Sequence, residues 1–162
     1  CTMGRYKEAE ELLVSAVNEE ALAPLAYNIL GLISFKKKEY GSAAEHFRSS
    51  LRLDGKDTDT LINLSNVRVL EKKYEEAVMF LQKAEALKPE DKFIKFRLGS
   101  VFLLNGECVK AAEKLTEAIK LDPDFAQAYL QRAMAYKRLG NEGSYLADQQ
   151  KAISLKQKFI MT

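Results

Sequence analysis

Apolar residues recur along this chain at steps of three and four, the spacing that lays them on one face of an α-helix. Within residues 92–105 the set includes Ile94, Leu98, Val101 and Phe102; within 108–121 it includes Ala111, Leu115 and Ala118. The pattern predicts helices over roughly 5–19, 24–37, 40–53, 58–71, 74–87, 92–105, 108–121, 126–139 and 142–155. The breaks between them carry their own chemistry. Asn105-Gly106 and Leu139-Gly140-Asn141 suit the left-handed end of a helix. Leu87-Lys88-Pro89 and Leu121-Asp122-Pro123 end a helix, because proline cannot continue it and restrains the residue before it.

The two Leu-x-Pro sites lie 34 residues apart, and the same step organises the rest of the chain. Small residues recur as Gly31, Ser65, Gly99 and Ala133, as Ala9, Ala43, Ala77 and Ala111, and as Ala16, Ser50, Ala84, Ala118 and Ala152. Tyr6, Tyr40 and Tyr74 form an aromatic series, and Leu13, Phe47, Leu81 and Leu115 a bulky one. The units are 24–57, 58–91, 92–125 and 126–159, preceded by a part unit 1–23 that holds only a second helix. Residues 160–162 then begin a next helix. Small residues let two helix axes approach, and bulky ones fill the space beside them. One helix pair cannot bury its apolar face alone, whereas stacked pairs can. The predicted fold is therefore an all-α solenoid, a single array of antiparallel helix pairs. Helix 5–19 without a partner would expose Leu12, Leu13 and Val17, so the chain is expected to be a piece of a longer array or to be capped by another chain.

These series resemble the tetratricopeptide repeat family, whose pattern has small residues at unit positions 8, 20 and 27, large apolar ones at 4, 7, 11, 17 and 24, and proline at 32. Unit 92–125 supplies Leu98, Gly99, Phe102, Ala111, Leu115, Ala118 and Pro123; unit 24–57 supplies Tyr27, Leu30, Gly31, Tyr40, Ala43 and Phe47. The resemblance covers nearly the whole chain. It implies a right-handed superhelical α-solenoid of about four and a half units, acting as a non-catalytic protein–protein interaction scaffold. The last unit departs from the pattern: Arg132, Glu142, Tyr145 and Gln149 stand where Leu, Tyr, Ala and Phe are expected. That polar drift reads as approach to the end of the array.

In such arrays, positions 2, 5, 6, 9, 12 and 13 of the first helix of each unit line a concave face that binds peptides or partner helices. Carried onto this sequence, the stripe holds Leu25, Asn28, Ile29, Leu32, Phe35 and Lys36, then Asp59, Ile62, Asn63, Asn66, Val69 and Leu70. It continues through Phe93, Phe96, Arg97, Ser100, Leu103 and Leu104, and ends with Gln127, Leu130, Gln131, Met134, Lys137 and Arg138. Helix 92–105 is apolar nearly all round. Phe93, Phe96 and Leu103 are left over once helix packing is satisfied, either as a partner groove or as core covered by neighbouring first helices. Asn28, Asn63, Asn66 and Gln131 can pair with a peptide backbone. Lys36, Arg97, Lys137 and Arg138 against Asp59 favour a ligand with apolar and acidic residues. A chaperone-type carboxylate clamp would need Lys, Asn, Asn, Lys and Arg at Asn28, Leu32, Asn63, Phe93 and Arg97; only Asn63 and Arg97 match.

Composition narrows the classes. The chain has 162 residues, 47% hydrophobic and 30% charged, with no apolar run of the roughly 18–20 residues a membrane helix needs. Its net charge of +2 argues against a general nucleic-acid binder. By unit the net charges are −3, +2, −2, +1 and +4, acidic at the start and basic at the end. Structural assembly through the array ends, giving a homo-oligomer, is therefore the alternative function, and an accessory region of a larger multidomain protein is another. Cys1 and Cys108 make neither a disulfide framework nor a zinc site, and His46 stands alone, so no metal and no cofactor are expected. Cys1 is read as a fragment boundary in preference to a lipoprotein terminus. Glu10-Glu11 and Glu75-Glu76 read as solvated faces, and Asp57 or Thr58 as a helix N-cap. No catalytic constellation stands out, and no enzyme activity is expected.

Overall fold

The computed structural model describes residues 12–160, and all regular structure among them is helical. After a helical stretch at 12–16 come α1 (Ala23–Lys36), α2 (Tyr40–Leu53), α3 (Thr58–Leu70), α4 (Tyr74–Leu87), α5 (Lys92–Leu104), α6 (Cys108–Leu121), α7 (Ala126–Arg138) and α8 (Glu142–Ile160). The expected limits hold to within a residue except at two ends: the first helix, expected to reach 19, stops at 16, and α8 runs past 155. There Leu155-Lys156-Gln157 occupies the place of the two Leu-x-Pro stops, and without proline the helix continues past 155 to Ile160. Cys1, Tyr6, Ala9, Glu10 and Glu11 lie outside the described residues. The chain divides into two compact units, Cys1–Lys73 and Tyr74–Thr162.

In the first unit α1 packs on α2 and α2 on α3. The close approach of α1 and α2 is made by Gly31: a Cβ there would lie 2.5 Å from the Phe47 ring. Phe47, Leu64 and Val67 are fully buried around this contact. Ser50 is buried as well and donates to the Pro24 carbonyl at 2.8 Å, so α2 ties down the start of α1. Asp57 caps α3, accepting from the Asp59 N–H at 3.0 Å and from the Thr60 hydroxyl. Leu12 and Val14 are exposed, while Leu13 and Val17 are half-buried.

In the second unit each helix packs on the next from α4 to α8, and α5 also touches α7. Gly99 plays the part of Gly31: its Cβ would lie 2.6 Å from Leu115 Cγ. Asp91 caps α5 through the N–H groups of Phe93 at 2.7 Å and Ile94 at 3.2 Å. Ion pairs tie α4, α5 and α6 together. Lys95 reaches Glu85 at 3.1 Å and Glu117 at 2.7 Å, and Lys114 reaches Glu85 at 2.9 Å and Glu117 at 3.2 Å. The polar drift of the last unit is an organised contact and not a loosening of it. Arg132 Nε and Nη2 donate to the two Asp148 oxygens, both at 2.8 Å, and Nη1 donates to the Thr116 hydroxyl at 2.8 Å. The guanidinium also faces the rings of Tyr129 and Tyr136. Asp148 is buried, so α6, α7 and α8 are pinned by one planar cation.

Candidate functional site

In the first unit Leu25, Leu32 and Leu70 are exposed, and Asn28, Ile29, Phe35, Ile62, Asn63, Asn66 and Val69 are half-buried. Asn63 donates from Nδ2 to Asn28 Oδ1 at 3.1 Å, so these two amides meet between α1 and α3. That bond uses one donor and one acceptor; each amide retains further bonding capacity. Phe35 lies edge-on to Tyr40, with centroids 5.6 Å apart, which draws its ring toward the α1–α2 turn.

In the second unit α5 and α7 supply the stripe. Phe93 is 55% exposed, Met134 50% and Leu104 53%, with Arg97, Gln127 and Lys137 exposed beside them. Phe96, Ser100, Leu130 and Gln131 are half-buried. Of the two alternatives left open for Leu103, the core one holds: it is 4% exposed, on the helix α5 that touches α7. Arg138 stays exposed, but its guanidinium donates to the Leu103 carbonyl at 2.6 Å, where a cation satisfies the end of α5. Lys137 places its ammonium 5.3 Å from the Tyr145 ring centroid.

The residue that sequence reasoning missed is Phe125. It follows a Pro-Asp step that reads only as a helix stop, yet its ring is buried among Leu115, Ala118, Ile119 and Ala128. Phe93 stands edge-on to it at 5.6 Å and Phe96 tilts against it at 5.0 Å. The aromatic pair is thus half groove, half core: each phenylalanine rests one side on Phe125, and Phe93 shows the other to solvent. Lys92 closes the edge, lying 5.0 Å from the Phe93 centroid and 2.6 Å from an Asp122 oxygen. The Lys92 ammonium holds the Asp122 carboxyl below the usual carboxylate range. Phe93, Pro89 and Lys92 wall a shallow depression of about 500 Å³. Among the described residues no cluster of three or more His, Cys, Asp or Glu side chains could hold a metal ion.

Helix hairpins of constant stride, small residues under bulky ones at one period, and a lined stripe on the first helices define a helical-repeat protein. Models of the tetratricopeptide repeat family match residues 2–58, 58–91 and 126–159, and a further model of the same repeat matches 99–140. The chain belongs to the tetratricopeptide repeat family. Its fold is similar to a crystal structure of MamA, with a TM-score of 0.90 at 22% identity over 99% of this chain and 94% of that one. It is also similar to YrrB, described as a TPR protein with an unusual peptide-binding site, with a TM-score of 0.83 at 23% identity over 96% and 80%. Among curated proteins, the DnaJ homolog subfamily C member 7 homolog of Dictyostelium discoideum is 24% identical over 93% of this chain and 31% of its own length. Hsp70-Hsp90 organizing protein 3 of Arabidopsis thaliana is 31% identical over 56% and 17%. The chain therefore spans less than a third of the length of these curated relatives. No described helix is long and apolar enough to cross a membrane.

Proposed function

We propose that this chain is a non-catalytic protein-interaction module whose second unit holds a peptide or helical segment of mixed apolar and acidic character along α5 and α7. The observation that carries this reading is the exposure of Phe93, Leu104 and Met134 beside Arg97 and Lys137. Large apolar side chains grouped in water mark a partner surface, and cations among them favour a ligand that brings carboxylates with its apolar anchors. In the first unit the Asn28–Asn63 amides offer donors and acceptors to an extended backbone. The peptide-binding site in the description of YrrB supports the same reading. A chaperone-type carboxylate clamp is not proposed, since three of its five positions are occupied by Asn28, Leu32 and Phe93. A second reading, an accessory interaction region of a longer protein, is favoured by the small share of each curated relative that this chain spans.

The test is fluorescence anisotropy with labelled peptides that alternate Leu or Phe with Asp or Glu. Phe93→Ser with Met134→Ser is expected to weaken binding about tenfold or more, as loss of apolar anchors does. Arg97→Glu is expected to weaken it and flatten its salt dependence. Affinity unchanged in both variants would remove the stripe as the site.

A further inference from the structure

The turns that join the two helices of a pair carry another surface, and it lies in the first unit. α1 ends in Lys36 and passes to α2 through Lys37, Lys38 and Glu39; α3 ends in Leu70 and is followed by Glu71, Lys72 and Lys73. All of these lysines are exposed. Lys38 and Lys72 hold the same place in their units, with φ of 65° and 59°, where the last two units have Gly106 and Gly140. The same backbone bonds close both turns: the Glu39 N–H donates to the Ser34 carbonyl at 2.9 Å, and the Lys73 N–H to the Arg68 carbonyl at 2.8 Å. Glycine holds that φ without strain, so lysine there costs the fold something and brings it a charge. Strain kept at two equivalent places points to use. Glu39 and Glu71 are the carboxylates on these turns, and Glu71 is already engaged by Arg68 and, at 3.3 Å, by Lys73. A neighbouring repeat does not cover this edge: Gly106 is exposed although α4 packs before its hairpin and α7 after it.

We infer that this turn edge, Lys36, Lys37 and Lys38 with Lys72 and Lys73, binds a short run of Asp or Glu in an extended segment of another protein. α1 and α3 touch, and Asn63 bonds Asn28 across them, so the two turns stand about one helix spacing apart, on the order of 10 Å. An extended chain covers that distance in about three residues, at roughly 3.3 Å each. Carboxylates about three residues apart then face Lys38 and Lys72, with Lys36, Lys37 and Lys73 beside them on flexible stems. Charge complementarity asks for an anion, and the size of the patch selects its kind. A bilayer or a nucleic acid presents charge over a long face and meets the rest of the chain as well, which is +2 as a whole and −3 over residues 1–23. Nucleic acid would also need aromatic faces for its bases. Phe35 and Tyr40, beside the first turn, are half-buried and packed edge-on against each other at 5.6 Å. A short acidic segment meets the lysines alone, within the roughly 8 Å over which exposed charges act at physiological salt.

The experiment is an NMR titration of the isotope-labelled full chain with capped hexaglutamate at matched ionic strength. That peptide has no apolar anchor, so it probes these turns apart from the reading of α5 and α7, which a failure here would leave standing. The expected result is saturable shifts in the amides of 36–39 and 71–73, fading as NaCl rises from about 50 to about 500 mM. Lys38→Gly with Lys72→Gly is expected to weaken the affinity about fivefold, while Lys38→Arg with Lys72→Arg keeps it within about twofold. The glycine pair should melt higher than the parent, which separates lost binding from lost structure. Shifts confined to α5 and α7 overturn the inference, as does equal affinity in the glycine pair. No shift at about 5 mM peptide overturns it too. Lysine-dependent binding of phosphatidylserine vesicles or of oligothymidylate in place of the peptide would then assign the edge to lipid or to nucleic acid.

Discussion

Two glycines set how closely the paired helices approach. Gly31 and Gly99 admit Phe47 and Leu115 to within a distance no Cβ tolerates. Helix propensity alone would favour alanine at Gly99 by about 1 kcal/mol, but overpacking outweighs it. Gly99→Ala is expected to lower stability by about 1–3 kcal/mol in urea denaturation, and Leu115→Val to relieve part of that loss in the double variant. The small and bulky series were legible because both halves of the contact repeat at one period. The turns were legible only in part. Gly106 and Gly140 have positive φ, and so do Lys38 (65°) and Lys72 (59°) at the same place in their units. Nothing in a lysine announces that backbone. A side chain there is strained, so Lys72→Gly is expected to raise stability by about 0.5–1 kcal/mol while Lys72→Ala gains nothing, read by thermal melting.

The helices α4 and α6 keep their repeat limits because a Leu-x-Pro step stops each, and α8 overruns where that proline is missing. What sequence could not supply at this scale was partnership. Arg132 looked like a lost leucine because each position was compared with its own column; Asp148 sits 16 residues on, and only the packing of α7 on α8 joins them. The same blindness applies to Leu103 and Arg138, spent on closing α5 against α7, and to Phe125, which supports the exposed phenylalanine from below. Removing one partner of a buried ion pair leaves a charge without compensation. Asp148→Ala is accordingly expected to cost about 3 kcal/mol, with Arg132→Leu plus Asp148→Leu recovering most of it in the same denaturation assay.

Over the whole molecule, pH reads out the ion pairs. Burial works to raise the Glu117 carboxyl, but hydrogen bonds from Lys95 and Lys114 outweigh it and hold it below the usual range. Glu71 in the first unit behaves alike through Arg68 and Lys73. Burial would lower Lys95, yet Glu117 and Glu85 raise it. A depressed carboxylate stabilises the fold above its unfolded pKa and loses that contribution as pH falls through the folded one; a raised lysine loses its contribution as pH climbs past the ordinary value. The melting temperature is therefore expected to stay level between about pH 5 and 9 and to fall on the acid side of about pH 4. A flat curve to pH 2.5 would mean the pairs add nothing. The reach of these bonds also bears on synthesis. The longest side-chain links named above, Asn63 to Asn28 and Arg138 to Leu103, span 35 residues. A ribosome adding about 5–20 residues per second delivers such a partner within seconds, so each hairpin can be finished soon after it emerges, without waiting for the far terminus.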